Sequence, residues 1–291
     1  MTATHWQRCD VMLEMDYRRM HDVMPLVRYP LLAEGDSWFS TNGTAGDNLL
    51  KALSTRSSSL ILSFANPGDE MRRMRWTNAL GGGHFMQLLM REPQKFWRAL
   101  LLSGGGNDLI ADIGKIVKPV SATADPTLPA SYVRETALAE TLRDIEKGMR
   151  ALAAMRDGTA HHNMPIIIHT YDLPMPRHAP GSFLGIRTGP WLRPRLEAAG
   201  VPDGMQPLVV HFLFSRLSSR LAALETGSGI APIRGLRVCK THGALQPADP
   251  AASGCSNDWL DEIHPTRFGY QKIAETRLNP FLDKVLHETW Q

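Results

Sequence analysis

The sequence has few cysteines and no long uninterrupted apolar run. Cys9, Cys239 and Cys255 are its only cysteines in 291 residues, and an odd, sparse set argues against a disulfide framework. No apolar stretch approaches the ~20 residues that span a bilayer. Acidic residues interrupt the apolar positions near the start, which argues against a secretory signal. We therefore expect a cytoplasmic protein.

Charge of one sign is also scarce. The formal net charge is +3, from 32 basic and 29 acidic residues mixed along the chain, so binding to nucleic acid is not expected. No cysteine has the spacing of a metal ligand, and the adjacent His161 and His162 point in different directions in most conformations. We therefore expect no metal site. The hydrophobic content of 43% is ordinary for a globular protein.

Five short apolar runs predict β-strands, at 30–33, 59–65, 98–103, 165–170 and 236–240. Their nearly continuous apolar character is typical of parallel strands buried on both faces. Apolar residues at helical period predict helices between the strands. These helices are expected at 45–53, 78–91 and 133–156, and a last one from 266 to about 286, kinked at Pro280.

Alternation of strands and helices predicts one α/β domain, a three-layer sandwich around a central, mostly parallel five-stranded sheet. We assign residues 29–291 to this domain and residues 1–28 to an N-terminal extension. A helical insertion is expected around 181–235, where the apolar stretch 208–224 predicts a core-packing or lid helix. Contact of this stretch with a membrane surface is the alternative, because basic residues follow its apolar run.

Three short motifs follow one another in a fixed order along the chain. They are Gly-Asp-Ser-Trp at 35–38, Gly-Gly-Asn-Asp at 105–108 and Asp-Glu-Ile-His-Pro at 261–265. The first two follow predicted strands, and in doubly wound sheets the ligand crevice lies beyond the carboxyl ends of the strands. The motifs supply a serine, a histidine, an aspartate and an amide donor, which are the components of an acyl-transfer site.

These motifs resemble those of the SGNH hydrolases, also called the GDSL esterase and lipase family. The family carries a Gly-Asp-Ser block, a second block with a glycine, a Gly-x-Asn-Asp block and a C-terminal Asp-x-x-His. Here Trp38 stands where many members have leucine. Gly68 is the best candidate for the second block, and Gly82 is a weaker one. The resemblance implies a flavodoxin-like fold of the SGNH type.

The resemblance implies a catalytic triad of Ser37, His264 and Asp261. A serine hydroxyl needs a base to act as a nucleophile near neutral pH, and His264 is the only histidine with an acid three residues before it and a proline after it in a late loop. Asp261 would orient His264, with Asp258 as a weaker rival. The alternative for Ser37 is an ordinary turn without a catalytic role, since Gly, Asp and Ser all favour turns.

The resemblance also implies an oxyanion hole formed by the Ser37 N–H, the Gly68 N–H and the Asn107 side-chain amide. The alternative for Asn107 is a turn residue without a role in the site, because glycines precede it. Trp38 is expected to pack beside the nucleophile or to line the acyl pocket, and a place in the core is equally compatible with the sequence.

The predicted function is hydrolysis of carboxylic esters through an acyl-serine intermediate, without a metal or an organic cofactor. An acyltransferase would use the same acyl-enzyme, and a non-catalytic binding protein could keep the fold. The expected partner is a small-molecule or lipid ester. The sequence leaves the acyl chain length, the natural substrate and the oligomeric state open.

Overall fold

The centre of the protein is a parallel β-sheet. The computed structural model describes residues 7–13, 26–40, 47–74, 97–119, 125, 127–183, 185–228 and 231–289. Its main sheet contains six strands: β2 (Asp10–Leu13), β3 (Tyr29–Gly35), β5 (Ser59–Ser63), β6 (Ala99–Ser103), β7 (Ile166–His169) and β10 (Leu236–Cys239). All five neighbouring pairs are parallel. The five predicted strands are confirmed, since each predicted run contains or overlaps one of them.

The strand order gives the sheet a defined crevice. The order across the sheet is β10-β7-β6-β3-β5-β2. The five predicted strands alone have the flavodoxin-like order 2-1-3-4-5, in which the ligand crevice opens between the first and third strands. Those are β3 and β6, so the ends of the two motif-bearing strands lie side by side. The predicted three-layer α/β fold is confirmed.

The sheet has six strands where five were predicted. Asp10–Leu13, within the segment predicted as an extension, pairs in parallel with β5 as the edge strand. The preceding β1 (Gln7–Arg8) pairs antiparallel with the short β4 (Ser54–Thr55). An edge strand of four residues that begins with aspartate carries a weak sequence signal, because its pairing with β5 is non-local.

Helices flank the sheet in two groups. Their bounds are α1 Leu49–Ala52, α2 Gly106–Ile116, α3 Glu135–Asp157, α4 Arg193–Ala198, α5 Gln206–Ala223, α6 Arg267–Ile273 and α7 Asn279–Thr289, with a 3-10 turn at Pro129–Tyr132. One group consists of α2, α3 and α5, which are joined by direct contacts. The other consists of α1, α6 and α7, and there α7 is joined to α6 through the turn between these two helices. The predicted helix 133–156 agrees with α3, whereas the predicted helix 78–91 lies outside the described residues.

The last helix is interrupted where the sequence predicts a kink. A π-helical turn at Ala274–Leu278 separates α6 from α7, and Pro280 is the second residue of α7. Proline has no N–H for the carbonyl one turn earlier, so the regular ladder cannot continue through it. The widened turn before Pro280 is therefore the local consequence of this residue.

The region around 181–235 contains a hairpin and a crossover helix. The strands β8 (Gly181–Phe183) and β9 (Ile186–Thr188) pair antiparallel. Helix α5 then connects β7 to its parallel neighbour β10. Its apolar side, which includes Val209, Leu213 and Leu217, is buried in the core. The stretch 208–224 therefore packs on the core. Among the helices of the described residues, none is long and apolar enough to cross a membrane.

Candidate active site

Ser37 lies directly beyond the carboxyl end of β3. The turn is held because the Phe39 and Ser40 N–H groups both donate to the Asp36 carbonyl, at 3.0 Å each. At Gly35, a Cβ atom would lie 2.7 Å from the Ser103 carbonyl oxygen of β6. Glycine is therefore required here because the two strands approach closely at the point where the nucleophile turn begins.

His264 faces Ser37 across the crevice. Its Nε2 atom lies 2.8 Å from Ser37 Oγ, although the two residues are far apart in the chain. The loop that carries His264 is fixed to the serine turn, because Trp38 Nε1 donates to the Ile263 carbonyl at 3.1 Å. The sequence-predicted base and nucleophile are therefore within hydrogen-bonding distance in the free protein.

Asp261 holds the other side of the imidazole. Its carboxylate accepts from His264 Nδ1, with Oδ2 at 2.8 Å and Oδ1 at 3.0 Å. The same carboxylate accepts the Ile263 and His264 backbone N–H groups at 2.9 and 2.8 Å. These bonds fix the carboxylate and leave the Nδ1 proton pointing at it, so Nε2 is free to accept a proton. The rival Asp258 instead pairs with Lys272.

Asn107 lies at the N-terminal end of α2, beside Ser37. One amide hydrogen of its side chain is used, because Nδ2 donates to the Asp69 carbonyl at 3.1 Å. A primary amide has two such hydrogens, so one remains for a ligand. Asn107 and Ser37 line the same pocket.

Gly68 lies on the loop that Asn107 holds through Asp69. It is the third residue of a turn closed by the Asp69 N–H donating to Asn66 O at 3.3 Å, with φ of +83° at Gly68. That conformation favours glycine. Among the described residues, neither the Gly68 N–H nor the Ser37 N–H has a protein acceptor. Gly68 does not line the pocket of Ser37 and Asn107. The alternative Gly82 lies outside the described residues.

The two motif aspartates beside Ser37 and Asn107 hold the backbone of the site. Asp36 accepts the Trp38 N–H at 3.0 Å, and Asp108 accepts the Met71 and Arg72 N–H groups at 2.7 and 3.2 Å. Burial raises the pKa of Asp36, and it raises the pKa of Asp108 to about 6. The first aspartate shapes the serine turn, and the second ties the Gly68 loop to α2.

A buried polar network lies beneath the serine turn. Tyr171 N–H donates to His169 Nδ1 at 3.2 Å, so the proton of this imidazole is on Nε2, which donates to Ser103 Oγ at 2.9 Å. The Ser103 hydroxyl donates to Asp36 at 2.7 Å, and the Tyr171 hydroxyl also donates to that carboxylate. Burial lowers the pKa of His169 to about 3, which keeps this imidazole neutral.

Trp38 belongs both to the core and to the pocket. It is 4% exposed, and its ring stacks on His169 at a centroid distance of 5.4 Å. It also meets Tyr171 edge-on at 5.0 Å. One part of the ring lines the pocket that contains Ser37. Both alternatives that the sequence left open therefore describe parts of the same side chain.

The pocket beside Ser37 is mostly apolar. Its volume is about 300 Å³ including the opening to solvent. Its lining is Asp36, Ser37, Trp38, Gly106, Asn107, Ile110, Tyr171, Asp172, Pro174, Phe214 and Ile263. An apolar pocket with a few convergent polar groups is the usual form of a small-molecule site.

Glu262 and Arg177 support the histidine loop, a role that the sequence did not indicate. The fully buried Glu262 carboxylate accepts N–H groups from Arg177, Trp191, Leu192 and Arg193. The Arg177 guanidinium, also buried, donates to the Asp261 carbonyl at 2.6 Å. The hydrogen bonds of Glu262 and Arg177 connect the segment after β7 to the loop of Asp261 and His264. As a result the Trp191 ring lies edge-on to the His264 ring at 5.4 Å.

Tyr171 and Asp172 are further site residues that the sequence analysis missed. Both lie within three residues of the end of β7 and line the pocket. Asp172 fixes a neighbouring loop by accepting the Gly243 and Leu245 N–H groups at 2.9 and 2.7 Å. The signal that could have found them is the one that located Ser37 and Asn107, namely polar residues at the carboxyl end of a predicted parallel strand.

The described residues contain no group of three or more His, Cys, Asp or Glu side chains that could hold a metal ion. No model of a protein family matches the chain, and no curated protein sequence matches it either.

Three similar solved structures are distant from the chain in sequence. A putative acylhydrolase from Bacteroides fragilis is 12% identical, with 96% of this chain and 99% of that chain covered and a TM-score of 0.43. A phospholipase A1 from Streptomyces albidoflavus is 12% identical, with coverages of 90% and 99% and a TM-score of 0.42. An acetylxylan esterase from Geobacillus stearothermophilus is 14% identical, with 89% of this chain and 94% of that chain covered and a TM-score of 0.40. At these scores the likeness assigns no activity to this chain.

The side chains themselves carry more information. Hydrogen bonds link Ser37 to His264 and His264 to Asp261. Asn107 lines the same pocket as Ser37. This order of donors and acceptors is the one that a Ser-His-Asp triad requires.

Proposed function

We propose that the protein is an SGNH-type serine hydrolase that cleaves carboxylic esters through an acyl-serine intermediate. The observation that carries this proposal is the row of hydrogen bonds from Ser37 Oγ to His264 Nε2 and from His264 Nδ1 to Asp261, each 2.8 Å long. The same three groups act as nucleophile, base and orienting acid in serine hydrolases of unrelated folds.

In the acylation step, Ser37 Oγ attacks the ester carbonyl carbon while its proton moves to His264 Nε2. The imidazolium that forms is stabilised by the Asp261 carboxylate at Nδ1. The tetrahedral intermediate then collapses. Its bond to the alcohol oxygen breaks, and the leaving alcohol takes the proton from His264 Nε2. The products of this step are the acyl-serine and the free alcohol.

The negative charge on the carbonyl oxygen needs preorganised donors. We assign this task to the Ser37 N–H, the Gly68 N–H and the second amide hydrogen of Asn107. The backbone N–H groups of Ser37 and Gly68 have no acceptor within the described residues, which supports the assignment. In the deacylation step a water attacks the acyl-serine, His264 accepts its proton, and Ser37 regains a proton as the carboxylic acid leaves.

Replacement of Ser37 tests the proposal. Ser37→Ala should reduce turnover of p-nitrophenyl acetate to the background rate, because losing a triad nucleophile costs up to about 10⁶-fold in kcat. Ser40→Ala is the matched control. Ser40 is a buried serine of the same turn, its hydroxyl has no partner in the described structure, and it does not line the pocket.

The two variants together separate chemistry from folding. We expect both to fold, as measured by circular dichroism and thermal unfolding, and only Ser37→Ala to be inactive. Retention of more than about a tenth of wild-type turnover by folded Ser37→Ala would move the nucleophile elsewhere. Loss of activity in Ser40→Ala alone would have the same meaning.

A further inference from the structure

We infer that the apolar pocket beside Ser37 binds the acyl group of the ester, and that Phe214 limits this group to a short chain. The inference rests on the proposed function and adds the substrate class. The pocket contains both Ser37 and Asn107, so a carbonyl carbon at Ser37 directs one of its two substituents into this space.

Asn107 and Ile110 define one side of the pocket. They are three residues apart on α2, and residues at this spacing lie on the same face of a helix. Both line the pocket. A carbonyl oxygen that accepts from the Asn107 amide therefore has its acyl carbons next to the Ile110 side chain, one turn further along the helix.

Phe214 and Tyr171 form another part of the pocket lining. Phe214 lies on α5, is 4% exposed, and its ring packs edge-on to Tyr171 at 6.3 Å. The next turn of α5 is also fixed, because Leu217 lies 3.1 Å from the position that a Cβ atom on Gly105 would take. Helix α5 therefore cannot move away without losing contacts to the start of α2.

Tyr171 makes this wall rigid. Its hydroxyl donates to Asp36, its N–H donates to His169, and its carbonyl accepts from Thr241 Oγ1 at 2.9 Å. The residue is held at a φ of +60°, a conformation that is rare for a bulky side chain. Because Tyr171 is fixed at three points, movement of the Phe214 ring in the direction of Tyr171 is restricted.

The size of the pocket agrees with a short chain. The volume of about 300 Å³ counts open solvent at the mouth of the pocket, so the enclosed part is smaller than that. A chain of eight carbons therefore has to displace lining side chains such as Phe214 or remain in water, whereas an acetyl or butyryl group requires much less room.

The experiment is a comparison of kcat/KM for p-nitrophenyl acetate, butyrate and octanoate. We expect the wild type to prefer acetate or butyrate over octanoate by at least about tenfold, because steps of one or a few methylenes in such pockets change kcat/KM by about 10- to 200-fold. Phe214→Ala should raise the octanoate-to-acetate ratio by about tenfold or more. Phe212→Ala should leave the ratio unchanged, since Phe212 lies on the same helix under Arg216 and does not line the pocket.

Ile110→Trp tests the pocket in the opposite direction and at a half-buried position that tolerates substitution better. It should lower kcat/KM for butyrate more than for acetate. Thermal unfolding identifies any variant that fails to fold. If Phe214→Ala does not fold, the result for Ile110→Trp decides the question alone.

The outcomes distinguish the two proposals. A wild type that hydrolyses octanoate as well as butyrate, or Phe214→Ala and Ile110→Trp variants with unchanged ratios, would overturn the acyl-pocket inference and leave the hydrolase intact. An equal shift in Phe212→Ala would also overturn it. Absence of hydrolysis with every ester, together with no covalent labelling of Ser37, would overturn the proposed function and this inference with it.

Discussion

At the scale of single residues, the proposed chemistry depends on few side chains that are each held by several bonds. The Asp261 carboxylate receives the His264 imidazole and two backbone N–H groups. The imidazole therefore keeps one tautomer and one orientation toward Ser37. Such preorganisation avoids the cost of arranging the groups during the reaction.

Asn107 provides the clearest residue-scale prediction beyond the nucleophile. Asn107→Ala removes one proposed oxyanion donor and should lower kcat by about 10²- to 10³-fold with little change in KM. Steady-state kinetics with p-nitrophenyl acetate measure this. Labelling by a fluorophosphonate should continue more slowly, since Ser37 and His264 remain.

The control for this variant is Asn66→Ala. Asn66 is the first residue of the exposed turn that contains Gly68, and the backbone bonds that hold this turn remain in the alanine variant. The side-chain amide that is lost donates to the Phe64 carbonyl at 2.9 Å. Asn66→Ala should keep near-wild-type kcat. An unchanged kcat with a raised KM in Asn107→Ala would assign Asn107 to substrate binding instead, and a collapse of thermal stability would favour a structural turn.

Short linear motifs made part of the site predictable. Ser37, Asn107 and His264 each stand in a motif of three or four residues, so the sequence alone names them. Tyr171 has no such motif. Its place in the site comes from a left-handed backbone conformation and from contacts with Asp36, just after β3, and with Ser103 on β6. The sequence does not encode those contacts locally.

At the scale of elements, the β8–β9 hairpin approaches the loop of Asp261 and His264 closely. A Cβ atom at Gly181, the first residue of β8, would lie 2.6 Å from Asp261 Oδ2 and 2.9 Å from the Trp191 ring. The hairpin therefore limits the room of the carboxylate that orients His264. Any residue with a Cβ atom at this position would clash with the Asp261 carboxylate unless one of the two moved.

Gly181→Ala should therefore displace Asp261 from His264 and lower kcat, by up to about 100-fold, since a misplacement of about 1 Å in a site can have that effect. Gly204→Ala is the matched control, because a Cβ atom there meets nothing within 4 Å. Steady-state kinetics and thermal unfolding of both variants make the test. Wild-type kcat in folded Gly181→Ala would mean that the hairpin does not constrain the triad.

Elements with strong periodicity were predictable, and those that depend on distant partners were not. The five apolar strands and α3 follow from buried runs and from regular helical spacing. The edge strand Asp10–Leu13 and the hairpin strands at Gly181–Phe183 and Ile186–Thr188 are three or four residues long. Their identity as strands comes from pairing with other segments, which composition does not indicate.

At the scale of the whole molecule, the strand order brings the site together. Ser37 follows β3 and Asn107 follows β6, and these two strands are neighbours in the sheet. The polar network of His169, Ser103 and Asp36 crosses β7, β6 and the end of β3 directly beneath the crevice. The network therefore links the stability of the sheet to the geometry of the serine turn.

This network predicts a pH dependence of stability. The pKa of His169 is about 3 in the folded protein and about 6.5 in the unfolded chain. Between these values the unfolded state binds one more proton, so the contribution of His169 to stability is complete above pH 6.5 and is lost as the pH falls. The slope for this group is about 1.4 kcal/mol per pH unit. Burial raises the pKa of Asp36, so the contribution of Asp36 to stability is instead lost as the pH rises.

A variant isolates the histidine from the other groups. His169→Gln keeps an acceptor and a donor but has no proton to gain. Between pH 7 and pH 5 the wild type should lose about 2 kcal/mol of unfolding free energy relative to this variant. Urea denaturation at each pH provides the measurement. Parallel stability profiles for the two proteins would refute the neutral, buried state of His169.

The most direct test of the central claim is the position of a covalent adduct. The folded protein is treated with a fluorophosphonate, digested, and analysed by mass spectrometry for the modified peptide. The proposed mechanism predicts one adduct, on Ser37, which disappears when His264 is replaced by alanine and persists in Ser40→Ala. Absence of any adduct from the folded wild type, or an adduct on another side chain in place of Ser37, would contradict it.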